Sequence, residues 1–228
     1  MKIFAIADLH LDGHTNKPMD VFGNNWERHR ERIFDAWQSV VGVDDCVLIP
    51  GDICWAMHIE DAMDDIDSIA ALNGTKILLR GNHDYWWTSP TRMRSMFPDS
   101  IKIIQNDAVD LGGFSVAGTR GWLMPGMPNY GQNDEKIYKR ELIRLELSLK
   151  SAKSAPIIVV MHFPPILEDG EPTGFTNIID NYQVLKVLYG HLHAQSCRNA
   201  FNGELNGKGY ELCSADYLGF APKLVVEI

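Results

Sequence analysis

Cysteine is scarce in this chain, and the few that occur do not pair by spacing. Cys46, Cys54, Cys197 and Cys213 are the four, with no CxxC among them. That excludes a zinc ribbon and leaves reduced thiols as the expectation. Long hydrophobic runs are missing too: none approaches the roughly 18 residues that a membrane span needs. The apolar part of MKIFAIADLH is too short for a signal peptide and meets Asp8 and His10 at once. A cytoplasmic setting is therefore expected. Basic residues are outnumbered, with 21 Lys and Arg against 30 Asp and Glu and a net charge of −9. Broad binding to a polyanion needs clustered cations, so nucleic acid is not expected as a partner. A phosphate-bearing small molecule stays open, because a bound metal reverses the local sign. No repeat, linker or low-complexity stretch interrupts residues 1–228, so one domain is expected.

Short apolar runs are plentiful. Ile3 to Ala7, Cys46 to Ile49, Lys76 to Leu79, Ile157 to Met161 and Val184 to Tyr189 read as buried strands, each ending in a polar or Gly-containing loop. Trp26 to Val41 and Ile59 to Leu72 carry apolar groups near helical spacing, so the first three strands alternate with helices. Strand, helix, strand implies a parallel sheet with crossover helices. Farther on, Ile101 to Ile104, Ala108 to Leu111 and Phe114 to Ala117 are separated by Asn106-Asp107 and Gly112-Gly113, which reads as hairpins. A third helix is expected from about Asp134 to Lys153, and further hairpins turn at Asn202-Gly203 and Asn206-Gly207.

Chemistry gathers where these strands end. The first runs into Asp8-Leu9-His10, the second into Gly51-Asp52, and the third into Gly81-Asn82-His83-Asp84. The fourth meets His162 and the fifth Gly190-His191-Leu192-His193. Parallel sheets hold ligands outside the carboxyl ends of their strands, so these groups share one edge. A DxH triplet or a Gly-Asp pair alone means little; five such endings in order mean more. Imidazole and carboxylate together suit Mn, Fe, Zn, Co or Ni. Asp8, His10, Asp52, Asn82, His162, His191 and His193 are seven candidate ligands. That is too many for one catalytic ion, but it suits two ions that share a carboxylate.

The order DLH, GD, GNHD, a lone His after an apolar strand, and GHLH resembles the five motifs of the calcineurin-like metallophosphoesterase superfamily, over positions 8 to 193. The resemblance implies an α/β fold, a four-layer α/β/β/α sandwich of two mixed sheets flanked by helices. It implies two divalent ions, Mn²⁺ first. Asp8, His10 and His193 would hold one; Asn82, His162 and His191 the other; Asp52 would bridge. His83 would stand beside the leaving group, with Asp84 holding its imidazole. The implied reaction is hydrolysis of a phosphomonoester or phosphodiester of a small molecule, by in-line attack of a metal-bridging hydroxide. A nuclease and a non-catalytic scaffold on the same fold are the alternatives.

The segment after Gly51-Asp52 reads ICWAM and lacks the second acid and arginine of the GDxxDRG that protein Ser/Thr phosphatases carry. This resembles the smaller bacterial-type phosphohydrolases instead. Arg80 and Arg120 are candidate phosphate contacts. Trp55, Tyr85, Trp86, Trp87 and Trp122 are read as core or rim aromatics, with base stacking as the functional alternative. Asp12 and His14 are candidates for the site entrance, and His29 and His58 for helix faces. Pro125 to Gly131 is either a lid or a surface loop.

Overall fold

The computed structural model describes residues 1–15, 17 and 19–227. Its first sheet has the order β11-β1-β2-β3-β4, from Lys223–Glu227, Lys2–Ala5, Cys46–Ile49, Thr75–Leu79 and Ile101–Ile104. Strands β1 to β4 are parallel, and β11 adds antiparallel to β1. The second sheet runs β5-β6-β7-β8-β10-β9, from Ala108–Asp110, Ser115–Thr119, Ile157–Met161, Val184–Tyr189, Lys208–Leu212 and Gly203–Leu205. Here β6, β7, β8 and β10 are parallel, with β5 and β9 antiparallel at the two edges.

Alternation along the strands assigns their two faces. Ile3, Ala5, Cys46, Leu48 and Ile77 of the first sheet meet Val116, Ile158, Val160 and Leu188 of the second in one dry layer. Phe4, Ile6, Val47 and Ile49 point the other way, onto α1 (His29–Val40), α2 (Ile59–Ala70) and α3 (Pro90–Met96), through Ile33, Trp37, Ile66 and Met93. Behind the second sheet, Val159, Met161 and Val187 pack on α4 (Gln132–Lys150) and α5 (Gly174–Ile179) through Leu145, Leu149, Phe175 and Ile179. The result is the expected α/β/β/α sandwich with a mixed sheet in each inner layer.

Several expectations need correction. Asn106 does take a turn conformation, with φ 63°. Yet β4 pairs parallel to β3, and β5 pairs with β6 in the other sheet, so this turn carries the chain between sheets. Asn202-Gly203 is no hairpin turn either, since Gly203 opens β9. The turns at Gly112-Gly113 and Asn206-Gly207 do join antiparallel strands. The first helix starts at His29 rather than Trp26, after Arg28 adopts a left-handed conformation. His58 stands just before α2 rather than on its face. No helix among the described residues is long and apolar enough to cross a membrane.

Candidate metal centre

The strand ends deliver their polar residues to one edge through strained backbone. Asp8, His10, Asp52 and His191 have φ of 60°, 45°, 52° and 74°, a region that non-glycine residues seldom enter. Each such conformation costs about 1–3 kcal/mol and persists only where its surroundings enforce it. Glycine supplies the close approach between loops. A Cβ on Gly81 would lie 2.1 Å from Asp52 Oδ1, and one on Gly51 2.7 Å from Gly81 Cα. The loops after β2 and β3 can therefore touch only as Gly against Gly.

Two groups of electron-pair donors result. In the first, His10 Nε2 lies 3.3 Å from His193 Nε2, and Asp8 Oδ1 lies 3.8 Å from the latter. In the second, His162 Nε2 faces Asn82 Oδ1 at 2.7 Å, His191 Nδ1 at 3.3 Å and Asp52 Oδ2 at 3.5 Å. Asp52 Oδ2 is also 3.8 Å from His10 Nε2, so this carboxylate stands between the groups.

The tautomers can be argued from the partners. His162 Nδ1 meets the carbonyl of Pro50 at 3.0 Å, which only accepts, so the proton sits on Nδ1 and Nε2 presents a lone pair. His193 Nδ1 meets Asp216 Oδ1 at 2.9 Å, which leaves Nε2 as the inward atom. Lone pairs of His162, Asn82 and Asp52 thus converge with no proton among them, and His191 Nδ1 joins them. A cation between them satisfies all of them, so the residues fit a metal. Groupings of Asp8 with His10 and His193, and of Asp8 with Asp52 and His162, are tight enough to hold an ion.

Burial sets the ion-free electrostatics. It lowers the pKa of His10, His162 and His191 to about 3, which keeps the imidazoles neutral and ready to ligate. It raises Asp8 to about 8, against the partial offset of His193. For His193 itself burial acts downward, but the bond to Asp216 and the charge of Asp8 outweigh it and raise the pKa.

A family model described as calcineurin-like phosphoesterase matches residues 1–195. The chain belongs to the calcineurin-like phosphoesterase family. Among solved structures, a protein of unknown function from Aquifex aeolicus is similar over 98% of this chain and 95% of its own, at 15% identity and TM-score 0.51. A phosphopantetheinyl hydrolase from Mycobacterium tuberculosis is similar over 100% of this chain and 96% of its own, at 14% identity and TM-score 0.59. Identities this low carry the fold alone. Curated protein sequences give no match.

Within this calcineurin-like frame the remaining candidates divide. His83 is half-buried at the same cavity; its ring centroid lies 4.6 Å from Trp55 and 5.9 Å from His10, and its N–H donates to Asp52 Oδ1 at 2.8 Å. Asp84 takes partners other than the His83 imidazole. Its Oδ2 accepts from Gly81 N (2.7 Å) and Asp52 N (3.0 Å), and its Oδ1 from Ile53 N (2.8 Å). The carboxylate is a staple between the loop that carries Asp52 and the loop that carries Asn82. Arg80 and Arg120 are brought together, but around a separate cavity of about 60 Å³ that shares no lining residue with the one at His10 and His83.

Trp86 and Trp87 belong to the core, and Tyr85 is exposed. Trp122 donates to Asp134 Oδ1 at 2.8 Å. His14 pairs with Asp64 on the surface at 2.8 Å, whereas Asp12 lines a broad cavity beside His10. Gly126, Met127 and Pro128 line a cavity of about 360 Å³ with Leu192, which sits between His191 and His193. Asp216 was not foreseen. It stands beyond β10, and no local motif marks it.

Proposed function

We propose that this chain is a phosphoesterase dependent on two divalent cations, acting on a small phosphate ester. One observation carries the reading: ligand-type N and O atoms from five strand ends converge at 2.7–3.8 Å. Asp8, His10 and His193 would hold one ion, and Asn82, His162 and His191 the other, with Asp52 shared. Mn²⁺ is the first choice by likeness to the family; Fe, Zn, Co and Ni suit the donor set as well. When bound, such a pair supplies a nucleophilic oxygen at neutral pH and charge neutralisation at the phosphoryl group.

The chain's own residues do the rest. Asp216 and the Pro50 carbonyl orient His193 and His162, fixing which nitrogen faces inward. Asp84 ties the Asp52 and Asn82 loops into one unit. His83, tethered through its backbone to Asp52, offers a proton or hydrogen bond to the departing oxygen. Met19, Phe22, Trp26 and Trp55 line the adjacent cavity of about 210 Å³, which suits a leaving group with apolar surface. The net charge of −9 weighs against a nuclease.

The test is hydrolysis of p-nitrophenyl phosphate and bis-p-nitrophenyl phosphate, with Mn²⁺ and after chelation. Activity that chelation removes and metal restores supports the reading; metal-loaded protein inert toward both esters defeats it. Phosphopantetheinyl esters belong in the substrate panel that follows, because the relative from Mycobacterium tuberculosis is described as their hydrolase.

A further inference from the structure

Three guanidinium groups meet where the carboxyl ends of the two sheets approach each other. Arg80 follows β3, Arg120 follows β6, and Arg144 reaches in from α4. They line the cavity of about 60 Å³ together with Thr119, Gln105 and Glu141. Glu141 is the one carboxylate there, and its oxygens are already engaged. Oε2 accepts from Thr119 Oγ1 at 2.5 Å, Oε1 from Arg144 Nη1 at 2.6 Å, and Arg120 Nη2 stands 3.9 Å away. Three cations against one anion leave an excess of two positive charges in a partly buried pocket.

The donors are also unmatched. Nε of Arg80 and Nε of Arg120 are both buried and have no hydrogen-bond partner among the described residues. Buried guanidinium N–H groups without acceptors are costly, and native structures rarely leave them so. Gln105 accepts from Trp87 Nε1 at 2.6 Å, so what it has left to offer is its NH₂ donor. Trp122 lies under the Arg120 guanidinium, 4.6 Å from ring centroid to Cζ, and fixes its plane. Burial lowers the pKa of Arg120; Glu141 offsets part of this, and Arg80, Arg144 and Arg140 lower it further. What the pocket lacks is an acceptor with several oxygens.

We infer that the Arg80–Arg120–Arg144 pocket binds one phosphate-sized oxyanion, at a site distinct from the metal centre. Planar forks of N–H donors match such oxygens two at a time. The cavity has room for a tetrahedral oxyanion and none for a nucleoside. The site is wired to the catalytic edge through backbone. The Arg120 carbonyl accepts from His162 N at 3.1 Å and Phe163 N at 2.9 Å, and Arg80 directly precedes Gly81. Free phosphate, the product a phosphomonoesterase releases, is the natural occupant. Oxyanion binding in this pocket does not depend on the metal-centre reading; free phosphate as its occupant rests on it.

The experiment is calorimetric titration of the full chain with inorganic phosphate, before and after chelation, at constant ionic strength. Chelated wild-type protein should bind one phosphate per chain, with sulfate competing and chloride not. Arg120→Gln combined with Arg144→Gln should weaken that binding by at least about tenfold, the loss of one charge-assisted hydrogen bond. If the double variant does not fold, Gln105→Glu, which sets a carboxylate at the pocket, should weaken it as much. Absence of saturable phosphate binding in the chelated wild type, or binding that these substitutions leave unchanged, overturns the inference.

Discussion

Asp84→Asn separates two roles for the carboxylate in GNHD. In the fold, Asp84 accepts from the N–H groups of Gly81, Asp52 and Ile53. Asparagine keeps one acceptor and turns an NH₂ toward the donors that met the other oxygen. If it replaces Oδ2, the N–H groups of Gly81 and Asp52 lose their acceptor, at about 1–3 kcal/mol each. There is an opposing effect. Burial, and then the charge of Asp52, raise Asp84 from 3.8 to about 7. Removing that charge at neutral pH returns about 4 kcal/mol in the ion-free protein, at about 1.4 kcal/mol per pKa unit. Without metal, loss and gain roughly cancel. Cations beside Asp52 cancel the part of that burden that comes from its charge, the smaller part, while the burial part stays, so with metal the loss exceeds the gain by about 1–2 kcal/mol. The substitution should therefore shrink the rise in thermal midpoint that Mn²⁺ produces, by roughly 2–8 °C in a chain of this size. The assay is thermal unfolding of wild type and variant with Mn²⁺ and with chelator, alongside bound-metal content. A variant that keeps the full metal-induced rise and both ions, yet loses turnover, refutes this reasoning. Asp84 would then act on His83.

Other consequences follow from the same geometry. His83→Ala should lower turnover about 10²–10⁴-fold while leaving metal content near wild type; metal analysis and steady-state kinetics read this out, and metal loss would make His83 a ligand. Asp216→Ala frees the imidazole of His193 and should weaken metal binding about 10–100-fold, measured by competition with a chromophoric chelator. Stability of the ion-free chain should peak near pH 6.5. Below it, the unfolded chain takes up protons on three histidines that the fold holds neutral, with pKa about 3, so stability falls, and this outweighs the opposite slope of Asp8 and Asp84. Above it, Asp8 and Asp84, raised to about 8 and about 7, bind more protons folded than unfolded, so stability falls as they ionise. Urea unfolding should register a loss of about 1–2 kcal/mol between pH 6.5 and 8, and Mn²⁺ should flatten that slope.

Much of this was legible in the chain because the informative signals were local. Short apolar runs specified the strands, and five polar endings in order marked the edge of the candidate site. Gly112-Gly113 and Asn206-Gly207 were readable as hairpins because positive φ there closes an antiparallel pair. Asn106 shows where that logic stops. Its local turn is real, but whether the next strand pairs back or crosses to another sheet depends on packing far away in sequence. The short helices α3 and α5, with 7 and 6 residues, are too brief for periodicity to reveal. Asp216 illustrates a further limit. It reaches His193 only because β10 returns parallel to β8, a pairing that the sequence of neither strand announces. Asp84 looked like a partner for the adjacent His83, yet backbone donors 31 and 32 residues away in the chain, with Gly81, claim both its oxygens.

The central claim is that two cations act together at the edge where these strands end. Its most direct test is phosphodiester hydrolysis by chelated protein as Mn²⁺ is added back in measured equivalents. The two-ion centre predicts little activity at one equivalent per chain and a plateau at two. A plateau at one equivalent, or hydrolysis that ignores the metal altogether, would contradict it.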